Sequence, residues 1–209
     1  MLFDAVNGLA GRNAALDAVM LFAAGPLIYI LGAVAGLVAL LDMRHRDRTG
    51  NIWLVGQAMV ALGLAFGVNR ILRALAIHER PFQTREVHEL VQHEPGVSFP
   101  SNHATAALTI AFVVGFLISK LWGRLLGVLA ALVAISRVFV GVHWPSDVIV
   151  GGIVGLAATV LVTVVGRRLR DRFATEPSAP LVEPGSDETK VLPRLGHDSE
   201  TVVIRRVNR

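Results

Sequence analysis

Long apolar runs separated by short polar links organise this chain. Leu16 to Leu41 is apolar apart from Asp17, but Gly25-Pro26 interrupts it, so it divides into a short interfacial helix and a first span from about Pro26 to Leu41. Ile52 to Ile77 forms a second apolar stretch whose last turns carry Arg70 and Arg73, and Ala104 to Trp122 forms a third, uncharged until Lys120. Leu125 to Val142, holding the pair Ser136-Arg137, makes a fourth, and Val148 to Val165 a fifth. The expected fold is therefore an all-α integral membrane bundle of about five transmembrane helices preceded by an interfacial helix. Gly151, Gly152 and Gly155 in the fifth span would allow a neighbouring helix to approach closely.

The polar links set an expected orientation. Arg44, Arg46 and Arg48 lie between spans one and two, Lys120 and Arg124 between three and four, and Arg167, Arg168, Arg170 and Arg172 follow span five. With five spans all three groups fall on one face, which the accumulation of Lys and Arg marks as cytoplasmic. The opposite, extracytoplasmic face then holds the 78–103 loop, HERPFQTREVHELVQHEPGVSFPSNH, and the GVHWPSD link between spans four and five. The N-terminus lacks the basic start, apolar centre and cleavage site of a secretory signal, so the first segments are expected to remain in the mature protein. The expected layout is a membrane-embedded domain over 1–173 and a disordered cytoplasmic tail over 174–209, where Pro and charged residues replace the apolar runs.

Composition supports this reading. Of 209 residues 53% are apolar and only 17% charged, with a mean hydropathy of +0.57. With no cysteine, disulfides and thiolate metal sites are excluded. The net charge of +4 sits in arginines beside apolar runs, which makes membrane lipids the expected partners and nucleic acid an unexpected one.

Ionisable side chains at membrane depth are costly and therefore point to function. Here Arg73, Arg80, Ser101-Asn102-His103, Arg137, His143 and Asp147 fall at the outer ends of four segments. Guanidinium groups gathered with a single carboxylate partner call for an anion between them, and their geometry matches phosphate oxygens. Ser101, after Pro100, is placed as a helix N-cap, which directs the free N–H groups of the first turn toward the same anion; Asn102 suits a tight turn there. His143, four residues before Asp147, has the spacing of a nucleophile oriented by a carboxylate, and His103 is the candidate general acid. His78 and Glu79 read as a solvated rim, Trp53 and Trp144 as interfacial anchors, and Arg70 as a snorkelling side chain. His88 and His93 are five residues apart and do not match the pairing of a zinc helix; their loop reads as a cover for the pocket.

Arg73-x6-Arg80-Pro81, Pro100-Ser101-Asn102-His103 and Ser136-Arg137-x5-His143-x3-Asp147 together resemble the three-part signature of the type 2 phosphatidic acid phosphatase superfamily, whose fold is shared with haloperoxidases. The resemblance covers roughly residues 3–172. The stretch SFPSNHATAA and the short layout look most like bacterial undecaprenyl-diphosphate phosphatases of the bacitracin-resistance type. It implies a phosphatase needing no metal or other cofactor, with His143, His103 and Asp147 catalytic and Arg73, Arg80, Ser101, Asn102 and Arg137 binding phosphate. The implied substrate is a polyprenyl diphosphate at the outer face of the plasma membrane. Two positions depart from the pattern: Arg73 stands where the family has Lys, and Asn102 where Gly is commonest. Phosphatidylglycerol phosphate, phosphatidate or a prenyl-linked sugar phosphate is the alternative substrate. A haloperoxidase is opposed by the apolar spans, and a non-catalytic lipid-phosphate binder by the intact His103, His143 and Asp147.

Overall fold

A computed structural model describes residues 2–75 and 78–174, and the polar stretch expected to form the tail lies outside the described residues apart from its first residue, Ala174. The described residues form helices α1 (Leu2–Asn7), α2 (Ala14–Ala24), α3 (Leu27–Met43), α4 (Arg48–Leu75), α5 (Pro81–Thr84), α6 (Asn102–Leu117), α7 (Lys120–Phe139) and α8 (Pro145–Ala174). No strand occurs among them, and Glu79 and Val97 make one isolated antiparallel bridge in the loop before α6.

The helical class and its apolar character hold, and this is a multi-pass membrane protein. α4, α7 and α8 are long and apolar enough to cross a bilayer, and α2 with α3 form a further apolar pair bent by 53° at Gly25-Pro26. α6 is the short one: 16 residues at about 1.5 Å each reach about 24 Å, less than the roughly 30 Å of a hydrocarbon core. The third and fourth spans differ from expectation in register. Ser119 caps α7 by accepting from the Trp122 N–H, so Lys120 to Trp122 belong to α7 and the preceding helix stops at Leu117. A continuous apolar run hid that break. α2 does not lie alone either, since Leu16, Met20 and Ala24 pack with Phe139, Val140 and Val142 at the end of α7.

α6 runs through the middle of the bundle. Ala107, Ala111 and Val114 meet Leu31 and Ala35 of α3 and Leu126, Ala130 and Val133 of α7. Val113 on another face meets Ala61 of α4 and Val162 of α8. Small side chains set this spacing: a Cβ on Gly151 would come within 2.8 Å of Thr105 Oγ1, and one on Gly155 within 2.5 Å of Thr109 Oγ1. Thr105 and Thr109 turn their hydroxyls back to the carbonyls of Ser101 and Thr105, and Asn69 of α4 donates to Thr105 at 2.7 Å. Outward faces carry Tyr29, Leu37, Met59, Phe66, Val128 and Ile153, all exposed as lipid contact requires.

One end of this bundle receives the starts of α6 and α8 and the ends of α4 and α7. The loop between α4 and α6 folds over it. α1 fastens that loop, because Asn7 donates to the carbonyls of His88 and Phe139 and accepts from the His88 N–H. Gly141 turns the chain out of α7 at φ 87°, where a Cβ would also stand 3.0 Å from the His88 carbonyl.

Candidate active site

The site is built where helix ends converge. Ser101 caps α6 through the Ala104 N–H, and its own N–H donates to the carbonyl of Asp147 at 3.1 Å, tying the start of α6 to the start of α8. Pro145 opens α8 with a ring that suits the first helical turn, and Asp147 lies in that turn, fully buried. The Asp147 Oδ2 accepts from the Trp144 N–H at 2.8 Å and faces His143 Nδ1 at 3.4 Å. A carboxylate only accepts, so Nδ1 of His143 carries the proton and Nε2 keeps a free lone pair. Burial lowers the His143 imidazole from its ordinary value to about 4, with the Asp147 hydrogen bond opposing that shift. At neutral pH the ring is unprotonated.

Around it stand the arginines. Each uses one terminal nitrogen to donate to a backbone carbonyl: Arg73 to Val97 at 3.0 Å, Arg80 to Val142 at 3.1 Å and Arg137 to Ala24 at 2.8 Å. Three different segments thus pin the three guanidiniums. In each the Nε is buried and makes no hydrogen bond. Buried donors are normally satisfied, so three unmet ones on neighbouring cations are chemistry that an acceptor-rich anion would satisfy. Arg73 acts electrostatically on Arg80, and Arg80 on Arg137. Burial first, and then the charge of Arg73, hold Arg80 below its ordinary value. Asp147 opposes that lowering at Arg80.

His103 occupies the first turn of α6, half-buried, and the permanent charge acting on it is that of Arg137. Asn102 is exposed at the same turn, and Ser136 is buried with its hydroxyl on the Val133 carbonyl. All eight residues singled out from the sequence therefore lie on the helix ends and links of one end of the bundle. His93, in the 78–103 loop, is pushed below its ordinary value by burial and then by the charges of Arg80 and Arg137.

Two expectations are incomplete. His78 is exposed at the rim as expected, but its Nδ1 also lies 3.1 Å from Asp147 Oδ1, and its ring stacks on Trp144 with centroids 6.0 Å apart. Trp144 is not simply an interfacial anchor, because its indole donates to the Glu79 carbonyl at 2.8 Å and packs on Phe3. The 78–79 segment and the link that carries His143 and Trp144 thus hold each other. Ser98, fully buried and donating to the carbonyls of His78 and Glu79, was not foreseen at all.

The profile described as "PAP2 superfamily" matches residues 54–171, a stretch that contains every one of these site residues. The chain belongs to the PAP2 superfamily. As a member it is a hydrolase, a membrane phosphatase. It is 32% identical to the Escherichia coli (strain K12) protein YbjG over 178 residues, covering 82% of this chain and 86% of that one. It is 31% identical to undecaprenyl-diphosphatase BcrC of Bacillus subtilis (strain 168) over 148 residues, covering 71% and 74%. Among solved structures, Aquifex aeolicus LpxE superposes with a TM-score of 0.60 at 24% identity, covering 77% of this chain and 92% of that one, which shows the shared fold.

Proposed function

We propose that this PAP2 phosphatase removes the terminal phosphate of a polyprenyl diphosphate, leaving the monophosphate carrier lipid for reuse in cell-wall synthesis. The observation that carries the reading is the set of orphaned Nε groups on Arg73, Arg80 and Arg137 beside a buried, Asp147-held His143. The relative named undecaprenyl-diphosphatase supports the choice of lipid.

In the proposed reaction Nε2 of His143 attacks the terminal phosphorus in line, forming an N–P bond as the bond to the bridging oxygen breaks. His103 gives the leaving monophosphate its proton. Arg73, Arg80, Arg137, Asn102 and the first-turn N–H groups behind Ser101 hold the equatorial oxygens, where charge is spread in the transition state. Asp147 keeps the proton on Nδ1 and steadies the imidazolium that forms. Water then attacks the phosphohistidine, His103 takes its proton, and inorganic phosphate leaves. The site faces the extracytoplasmic side and the C-terminal tail the cytoplasm, in keeping with the arginines gathered at the other end of the helices.

The test is phosphate release by the purified full chain from undecaprenyl diphosphate, set beside phosphatidylglycerol phosphate, phosphatidate and a prenyl-linked sugar phosphate. The expected result is the highest kcat/KM on the prenyl diphosphate. A clear preference for any other member would overturn the substrate assignment.

A further inference from the structure

Asp147 has two carboxylate oxygens, and the reaction as proposed uses one of them. Oδ2 accepts from the Trp144 N–H and faces His143. Oδ1 faces a second imidazole, His78 Nδ1, at 3.1 Å, closer than the 3.4 Å that separates the nucleophile from its own oxygen. The other side chains that meet this carboxylate are serines: Ser146, whose hydroxyl lies 3.4 Å from Oδ1, and Ser98. A fully buried carboxylate whose second oxygen lost its imidazole partner could rotate about its terminal torsion, which is broad for Asp. Rotation would take Oδ2 away from His143.

The imidazole of His78 is held on several sides although its side chain keeps 46% of its exposure. Its ring lies on Trp144 at an interplanar angle of 29° and meets the edge of Phe99 at 6.1 Å. Its carbonyl accepts from the Ser98 N–H at 2.8 Å and from the Ser98 hydroxyl at 3.1 Å. Because a carboxylate cannot donate, this arrangement also requires the proton of a neutral His78 on Nδ1. Solvation of a rim would need none of these restraints.

We infer that His78 is a positioning residue for this reaction: it fixes Oδ1 of Asp147 so that Oδ2 stays aimed at the nucleophile His143. The inference rests on the proposed role of His143. It links the segment between Arg73 and Arg80 mechanically to the nucleophile's link, since Trp144 is shared by both.

The experiment measures kcat and KM of the purified full chain on undecaprenyl diphosphate for His78→Phe and His78→Asn, with His143→Ala and Asp147→Asn as controls. His78→Phe keeps an aromatic ring on Trp144 and removes the donor; His78→Asn loses the ring and restores an N–H near the place of Nδ1. Phe should lower kcat by roughly tenfold to a hundredfold, the range seen when an outer group that orients a reactive side chain is lost. KM and inhibition by inorganic phosphate should stay within about twofold, because the phosphate-binding groups are untouched. Asn should recover part of the lost kcat, and adding His78→Phe to Asp147→Asn should cost little more, as expected of residues acting as a unit. Wild-type kcat in His78→Phe would overturn the inference, as would a loss confined to KM, or an Asn variant that melts like wild type yet is as slow as Phe. If instead His143→Ala retains full turnover, it is the nucleophile assignment that fails.

Discussion

Arginines collect at both ends of this bundle, and the two collections differ in burial and in how far their donors are satisfied. At the site end Arg80 and Arg137 are buried, pinned by carbonyls, and left with unsatisfied Nε donors. At the other end Arg46 pairs with Asp42 and donates to the Leu117 carbonyl, Arg170 lies over the Trp53 ring at 5.7 Å, and Arg167 and Arg170 are exposed. Those residues and Asp171 border a mixed cavity of about 330 Å³, beside an apolar groove of about 570 Å³ between α4 and α8. The larger number of cations lies at the far end, so number does not mark the site. What distinguishes the site is burial without full satisfaction, which costs free energy unless an anion offsets it.

Substitutions at the two ends should therefore diverge sharply. The largest effect in this set is expected for Arg137→Ala, which should lower kcat/KM on a prenyl diphosphate by roughly 10²–10³-fold, as losing a preorganised donor to developing charge does. A loss below tenfold would remove Arg137 from the phosphate pocket.

Acidity provides a second contrast, of about tenfold. His143 must be unprotonated to attack, and burial holds it near 4, so protonation and loss of activity come only as pH falls toward that value. An imidazole of ordinary pKa would already be about nine-tenths protonated at pH 5.5. The acid limb of kcat/KM should accordingly lie well below 6.5, and a limb at 6.5 would contradict an apolar seat for the nucleophile.

Packing gives a smaller effect with the same polarity. Gly155→Ala would press a Cβ against Thr109 Oγ1 at 2.5 Å and the Thr109 nitrogen at 3.2 Å, so overpacking of about 1–3 kcal/mol should appear as a lower melting temperature. Gly166→Ala meets the flexible end of Gln57 at 2.7 Å, which can move aside, and should melt within a few degrees of wild type. The smallest effect is expected for the double substitution Arg167→Ala and Arg170→Ala, with kcat/KM within about twofold, since exposed charges contribute little.

The sequence made the chemistry easier to read than the geometry that supports it. Ser101, His143, Asp147 and the three arginines were legible because polar residues stand out against apolar runs and their spacing places them on helix ends. The boundary at Leu117 was not, because Ile118 and Leu121 continue the apolar run and only the Ser119 cap marks the break. The partner of His78 is hidden from the sequence for a different reason. The contact with Asp147 is made across 69 positions of chain and depends on Ser98 folding the loop back, which no local pattern encodes. Trp144 likewise reads as a membrane-interface residue until its indole is seen to hold the Glu79 carbonyl.

The most direct measurement is rapid-quench trapping with undecaprenyl diphosphate labelled in its terminal phosphate. Wild-type protein should carry transient label that survives alkali and is lost in acid, as an N–P bond requires, and His143→Ala should carry none and turn over by roughly 10⁴-fold less or lower still. Label of the same stability on the His143→Ala variant, or undiminished turnover by it, would contradict the nucleophile at the centre of the account.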